Sequence, residues 1–260
     1  MDSDLEFIEA ALADLLKSLG PRPESLHDAM RYAVGTGGKR VRPLLCLASA
    51  QAVGGRREDA VRPACAIELL HNYTLVHDDL PAMDNDRIRR GKPTIWVKYG
   101  EANAILAGDA LLAFAYQVAA GSPRNAAEIV AVLGEKGVGV VEGQVEDLGL
   151  ISDGSIDCDK ADFVYRHKTA DLFVAAAVTG GLAAGAGADE IAALEEFALN
   201  LGLAFQYEDD LLDGDGAYPR EKTAELVDVC TARAVAALKR LSGDVSKLSE
   251  LAVGLVGRKV

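Results

Sequence analysis

The chain has 260 residues, half of them apolar but only 5% aromatic, and a formal net charge of −13. That charge excludes a nucleic-acid binder, which needs a basic face to neutralise phosphates, so any polyanionic ligand must be met by local basic clusters or by bound cations. The abundance of Ala and Leu over aromatic and β-branched residues favours helices over sheet, and the expected fold is all-α, a single domain over residues 1–260.

The first predicted element is an amphipathic helix from Leu5 to Leu19, apolar at spacings of three and four, stopped by Gly20-Pro21-Arg22-Pro23. A second runs from Glu24 to Val34 and ends at Gly35-Thr36-Gly37-Gly38; a third starts at Pro43 and closes at Gly54-Gly55. Short turns between them indicate an antiparallel bundle. Pro63 opens a longer apolar helix, Ala64 to Val76, that leads directly into Asp78 and Asp79. Further helices are expected at 101–119, 125–147, 159–186, 189–213 and 222–240, with no strand of useful length.

The longest stretch without charge, Leu172 to Ala188, is too short and too rich in Gly and Ala for a membrane span and reads as a buried helix. No integral membrane segment is expected. Cys46, Cys65, Cys158 and Cys230 form no C-x-x-C pair, which argues against a disulfide framework or zinc site and fits a reducing cytoplasm. The acidic start Met1-Asp2-Ser3-Asp4 lacks the marks of a signal peptide, so a cytoplasmic location is expected.

Two acidic clusters carry the chemistry. In Asp209-Asp210-Leu211-Leu212-Asp213, a helix puts Asp209 and Asp213 on one face, where two carboxylates repel unless a hard cation such as Mg2+ lies between them. In Asp78-Asp79-Leu80-Pro81-Ala82-Met83-Asp84, an unbroken helix would set Asp78 and Asp84 about 240° apart. Pro81 ends the helix near Leu80, and the turn that follows can swing Asp84 back. Two basic clusters, Gly37-Gly38-Lys39-Arg40-Val41-Arg42-Pro43 and Arg87-Ile88-Arg89-Arg90-Gly91-Lys92-Pro93, read as two halves of a polyphosphate pocket, since guanidinium forks match phosphate oxygens.

Taken together, these clusters resemble the trans-isoprenyl diphosphate synthases. The matching segments, in order, are the Gly37–Pro43 cluster, Glu68-x-x-His71, His77-Asp78-Asp79 with Asp84, Arg89–Pro93, Gly143-Gln144-x-x-Asp147, Lys168-Thr169, and Phe205-Gln206 with Asp209, Asp210 and Asp213. The resemblance spans nearly the whole chain and implies an isoprenoid synthase helical bundle around a central cavity, working as a homodimer. It implies Mg2+, three ions, held by Asp78, Asp84, Asp209 and Asp213, with the allylic diphosphate also met by Arg89 and Lys168. Isopentenyl diphosphate would be gripped by Lys39, Arg42, His71 and Arg90. Lys168, Thr169 and Gln206 would stabilise the allylic cation, and the departing diphosphate would take the proton. His77 reads as an orienting group rather than a base.

Tyr73 and Thr74 lie roughly 6 to 8 Å below Asp78 along the helix, where the resemblance places the floor of the chain pocket. Tyr73 there implies farnesyl diphosphate as product; geranylgeranyl diphosphate, or a catalytically weak partner subunit, are the alternatives. A terpene cyclase is disfavoured, because the asparagine-serine-glutamate type of metal motif is missing. One departure stands out. Relatives carry a longer glycine- and lysine-containing lid after the second acidic motif, whereas here Gly214 to Thr223 is short, with Arg220 and Lys222 as the substitutes at hand.

Overall fold

The computed structural model describes residues 2–153, 157–214 and 216–256. The helices are α1 Asp2–Lys17, α2 Glu24–Gly35, α3 Val41–Ala52, α4 Val61–Asp78, α5 Ile95–Tyr99, α6 Glu101–Ala120, α7 Ala126–Asp153, α8 Cys158–Val164, α9 Asp171–Ala184, α10 Ala188–Asp213, α11 Arg220–Ala237 and α12 Ser246–Val256. The all-α expectation holds, with one small exception. Ile88–Arg89 (β1) pairs antiparallel with Lys92–Pro93 (β2), closing a hairpin on Arg90 and Gly91. Both turn residues have positive φ, 53° and 72°, a conformation that Gly91 adopts freely and Arg90 does not.

The helix expected over 159–186 forms from Cys158 to Ala184, but it is not α-helical throughout. Between α8 and α9 the backbone widens into a π-helical turn, Tyr165–Ala170, which carries Lys168 and Thr169. Single π turns inside helices alter the direction in which their side chains project, and they cluster at functional sites.

α9 sits at the centre. Its residues from Asp171 to Gly181 are all buried. Its small residues allow this: a Cβ added at Gly180 would lie 2.1 Å from the Cys46 carbonyl oxygen of α3. Phe173 on α9, and Leu45, Leu69, Leu70 and Phe197 on the helices packed against it, are fully buried, each contributing about 1.5–3 kcal/mol of apolar burial. Among the described residues α6 alone is long and apolar enough to cross a membrane, with 44% of that window buried inside the protein. Its Ala104, Ala107, Leu111 and Ala115 are fully buried, as in a core helix. On α6 and α7, Ile105, Leu106, Val138, Val141 and Val145 are exposed.

Candidate active site

The first acidic motif folds as the Pro81 argument requires. α4 ends at Asp78, and the Asp84 N–H donates to the Asp78 carbonyl at 2.9 Å, so the turn returns Asp84 to the helix end. Asn85 completes the reversal at φ 56°. Asp79 has a different task from its neighbours. It is buried and accepts from Arg89 Nε at 2.5 Å, while Arg89 Nη2 donates to Asp86 at 3.0 Å. Arg89 is thereby oriented beside the motif by two carboxylates. Asp78 faces a cavity, and burial pushes its carboxyl up to about 6; Lys168 opposes the shift and Asp84 adds to it.

The two basic clusters meet. Arg90 Nη1 donates to the Gly37 carbonyl, and its guanidinium lies where a Cβ at Gly38 would be, 2.7 Å from Nη1. Gly38 is at φ 140°, so the close approach and the backbone both call for glycine. Arg42 Nη1 bonds His71 Nε2 at 3.3 Å and stacks over the Phe173 ring at 5.1 Å. An arginine only donates, so His71 Nε2 accepts and Nδ1 carries the ring proton. Burial lowers Arg42 to about 10, with Arg90 adding to the effect and Glu68 opposing it. His71 is driven well below the usual histidine range, by burial first and then by Arg42, Arg90, Arg40 and Arg89. Buried Arg42 Nε and His71 Nδ1 have no hydrogen-bond partner among the described residues. Two unmet N–H donors amid positive charge suit an anion with several oxygens.

The neighbouring arginine does something else. Arg40, at the left-handed start of α3 (φ 48°), is buried and bonds Glu68 at 2.6 Å, Glu9 at 2.7 Å and the Val34 carbonyl at 2.7 Å. It ties α1, α2, α3 and α4 together, and its bonds are spent inside the fold. Lys39 stands apart from the other basic residues of its motif. It is exposed and lines a separate groove with Leu5, Val41, Leu44 and Leu251, rather than the cavity that holds Arg42 and His71.

That cavity, about 330 Å3, runs between α4, α7, α9 and the π turn. Arg42, His71, Asp78, Lys168 and Thr169 supply its polar wall, and Val140, Val141, Val145, Leu148 and Leu172 its apolar one. Tyr73 and Thr74 also line it. Tyr73 presents its edge to the His77 ring at 5.8 Å, and His77 Nε2 donates to the Ile105 carbonyl at 3.1 Å. His77 is thus a prop for Tyr73, in keeping with an orienting role.

The second acidic motif ends α10, capped by Gly214 at φ 77°. Asp213 is exposed and Asp209 partly buried, one turn apart on a single helix. Lys168 Nζ bonds Asp147 at 2.5 Å, and the Thr169 hydroxyl donates to Gln206 Oε1 at 2.8 Å. Gln206 therefore meets the cavity through Thr169. Arg220 and Lys222 do not replace a lid: Arg220 Nη1 caps the Leu211 carbonyl at 2.9 Å, and Lys222 pairs with Glu225 at 3.0 Å.

The oxygen-only character of Asp78, Asp84, Asp209 and Asp213 suits a hard cation such as Mg2+. Among the described residues no three His, Cys, Asp or Glu side chains gather closely enough to hold a metal by themselves. Such sites bind Mg2+ through one or two carboxylates together with substrate phosphates, and the paired carboxylates fit that arrangement.

The family model for polyprenyl synthetase matches residues 23–224. The chain belongs to the polyprenyl synthetase family. Geranylgeranyl pyrophosphate synthase from Capsicum annuum chloroplasts is 45% identical over 200 residues, 74% of this chain and 54% of that protein. Geranylgeranyl diphosphate synthase from Cyanophora paradoxa is 45% identical over 209 residues, 77% of this chain and 70% of that protein. This polyprenyl synthetase chain thus spans little more than half the length of the Capsicum relative. The fold closely follows an FPP/GFPP synthase from Zymomonas mobilis, with TM-score 0.91 and 32% identity, over 98% of this chain and 96% of that one.

Three features of the site were not foreseen. The structural duty of Arg40 is hidden because Arg40 and Arg42 share one motif, and only the left-handed turn at Arg40 separates their directions. The pairing of Asp79 with Arg89 depends on the β1–β2 hairpin, whose strands are too short to show alternation. Tyr165 carried no signal beyond its place four residues before Thr169.

Proposed function

We propose that this chain condenses isopentenyl diphosphate head-to-tail with an allylic diphosphate, and that its product is geranylgeranyl diphosphate. The observation that carries the reading is one cavity lined by Arg42 and His71, with their unmet donors, together with Asp78, Lys168 and Thr169. Arg42 and His71 suit the diphosphate of the nucleophilic alkene, and Asp78 and Lys168 that of the allylic partner. The geranylgeranyl product follows the names of the Capsicum and Cyanophora relatives. A farnesyl product is the second reading, favoured by the Tyr73 ring on the cavity wall.

In the proposed reaction Lys168 leaves Asp147 to meet the allylic diphosphate, and Arg89, aimed by Asp79 and Asp86, grips it beside the first motif. Bound Mg2+, held by Asp78, Asp84, Asp209 and Asp213, would supply charge neutralisation to the leaving diphosphate. Arg42 and His71 hold isopentenyl diphosphate; Arg90, braced on Gly37, adds positive charge there. Valines of α7 and Leu172 exclude water from the allylic cation, and the Thr169 oxygen faces it. The double bond attacks, and the departing diphosphate takes the proton. We place the enzyme in the cytoplasm as a homodimer joined through the exposed apolar faces of α6 and α7. Incubation with labelled isopentenyl and dimethylallyl diphosphates plus Mg2+, followed by product chromatography, tests activity and chain length together. No condensation with any allylic primer refutes the reading and leaves a partner-subunit role.

A further inference from the structure

Four side chains form one hydrogen-bonded chain between the π turn and α10. Tyr165 O–H donates to Asp210 Oδ2 at 2.6 Å, Gln206 Nε2 donates to Asp210 Oδ1 at 3.1 Å, and Thr169 O–H donates to Gln206 Oε1 at 2.8 Å. Tyr165 and Asp210 are 9% and 8% exposed. The spacing makes this possible. Tyr165 and Thr169 are four apart on the π turn, Gln206 and Asp210 four apart on α10, so both pairs face each other.

The direction of every bond follows from its one ionised member. A carboxylate accepts only, so the end of the Gln206 amide on Asp210 must be its NH2. The amide oxygen then points the other way, toward Thr169, and it also accepts only. The Thr169 proton is therefore committed to Gln206, and what the hydroxyl presents to the cavity is its lone pairs. Were the amide reversed, its NH2 would meet the Thr169 oxygen, and the hydroxyl proton would turn into the cavity. The negative and positive ends of this dipole are exchanged by a single flip.

The other end of the chain is also tied down. The Ala217 backbone N–H donates to the Tyr165 hydroxyl at 3.3 Å, occupying an acceptor site, while the Tyr165 proton goes to Asp210. Ala217 belongs to the short connection between α10 and α11. That connection is pinned further by Tyr218, whose hydroxyl donates to Asp162 at 2.9 Å and whose ring stands edge-on to Tyr207.

We propose that Asp210, anchored by Tyr165 and the short connection that follows its motif, is a positioning residue that fixes the polarity of the Gln206–Thr169 pair, so that an oxygen lone pair meets positive charge in the cavity. The inference rests on the proposed condensation only in taking that positive charge to be an allylic cation. Hydrogen-bonded chains of this kind polarise along their length, so the carboxylate acts on the cavity from two residues away.

The test is equilibrium binding, without turnover. With Mg2+ and inorganic diphosphate present, the affinity of a prenyl ammonium compound, bearing nitrogen at the cationic carbon, is compared with that of its neutral carbon isostere by titration calorimetry. The wild-type chain is expected to prefer the ammonium compound. Asp210→Asn, which lets the Gln206 amide take either orientation, is expected to reduce that preference about tenfold, the scale of one hydrogen bond to a charged group. Tyr165→Phe removes one oxygen, keeps the ring against Tyr207, and is expected to reduce it about threefold with diphosphate affinity unchanged; it carries the test if Asp210→Asn does not fold. A purely structural role would weaken both ligands equally and leave the preference intact. An unchanged preference in both variants, or no preference in the wild type, overturns the inference. The proposed function fails separately, by absence of condensation in the labelled assay.

Discussion

Arg40→Met is expected to damage the fold and spare the ligand site, although Arg40 sits two residues from Arg42 in one basic motif. In the native chain the Arg40 and Glu68 side chains are 1% and 3% exposed and bonded at 2.6 Å, and Asn72 adds a bond to the same Glu68 oxygen at 3.0 Å. Removing the arginine leaves Glu68 buried without its bonded counter-charge, an effect of up to about 3–5 kcal/mol. The second ion pair, to half-exposed Glu9, adds less because water screens it. At about 2–4 °C per kcal/mol for a chain of this size, the melting temperature should fall by roughly 10 °C or more. Thermal melts report this directly, and steady-state kinetics should show the KM for isopentenyl diphosphate within a few-fold of wild type. Arg40→Met with Glu68→Leu should recover most of the loss, since replacing a buried pair whole is far milder than breaking it. An unchanged melting temperature with a raised KM would refute the assignment and make Arg40 a ligand residue.

Under the proposed condensation, Tyr73→Ala should lengthen the prenyl product, whether farnesyl or geranylgeranyl; chromatography showing the same chain length would remove Tyr73 as the floor. Gly108→Ala should destabilise the protein, because a Cβ there would lie 2.1 Å from His77 Nε2; restoration of the melting temperature by adding His77→Ala checks the contact. In metal-free protein, burial raises Asp78 from 3.8 to about 6, so ionising it in the fold is unfavourable. That penalty is absent below pH 3.8 and grows to about 3 kcal/mol above pH 6. Asp78→Asn should therefore be the more stable form in urea melts with EDTA at pH 8, with the gap closing toward pH 4; equal stability at pH 8 would contradict the burial argument.

Much of the architecture could be read from local rules. Periodicity placed α1 to α4 within a few residues, Pro81 foretold the reversal that returns Asp84, and the Gly- and Ala-rich stretch after Leu172 became the central helix. The cavity wall was legible to the extent that motif residues entered it: Arg42, His71, Asp78, Lys168 and Thr169 converge, while Lys39 does not. What escaped depends on backbone states without a residue signature. The π turn changes the projection of Lys168 and Thr169 without any Gly or Pro to announce it. The left-handed residue at the start of α3 sends Arg40 inward, and alternation along the motif could not have foretold that. Motif matching also hid the structural work done inside each aspartate pair, since Asp79 is held by Arg89 and Asp210 by Tyr165 and Gln206.

The valines at 138, 141 and 145 recur every three and four residues along one exposed side of α7, and two of them, Val141 and Val145, line the cavity. A single helix thus carries both exposed apolar side chains and part of the cavity wall. Any protein surface seated on that stripe would press on the room available to a growing chain. If the proposed dimer and condensation hold, quaternary contacts and product length become two readings of one mechanical quantity, and a substitution chosen to alter either should be assayed for both.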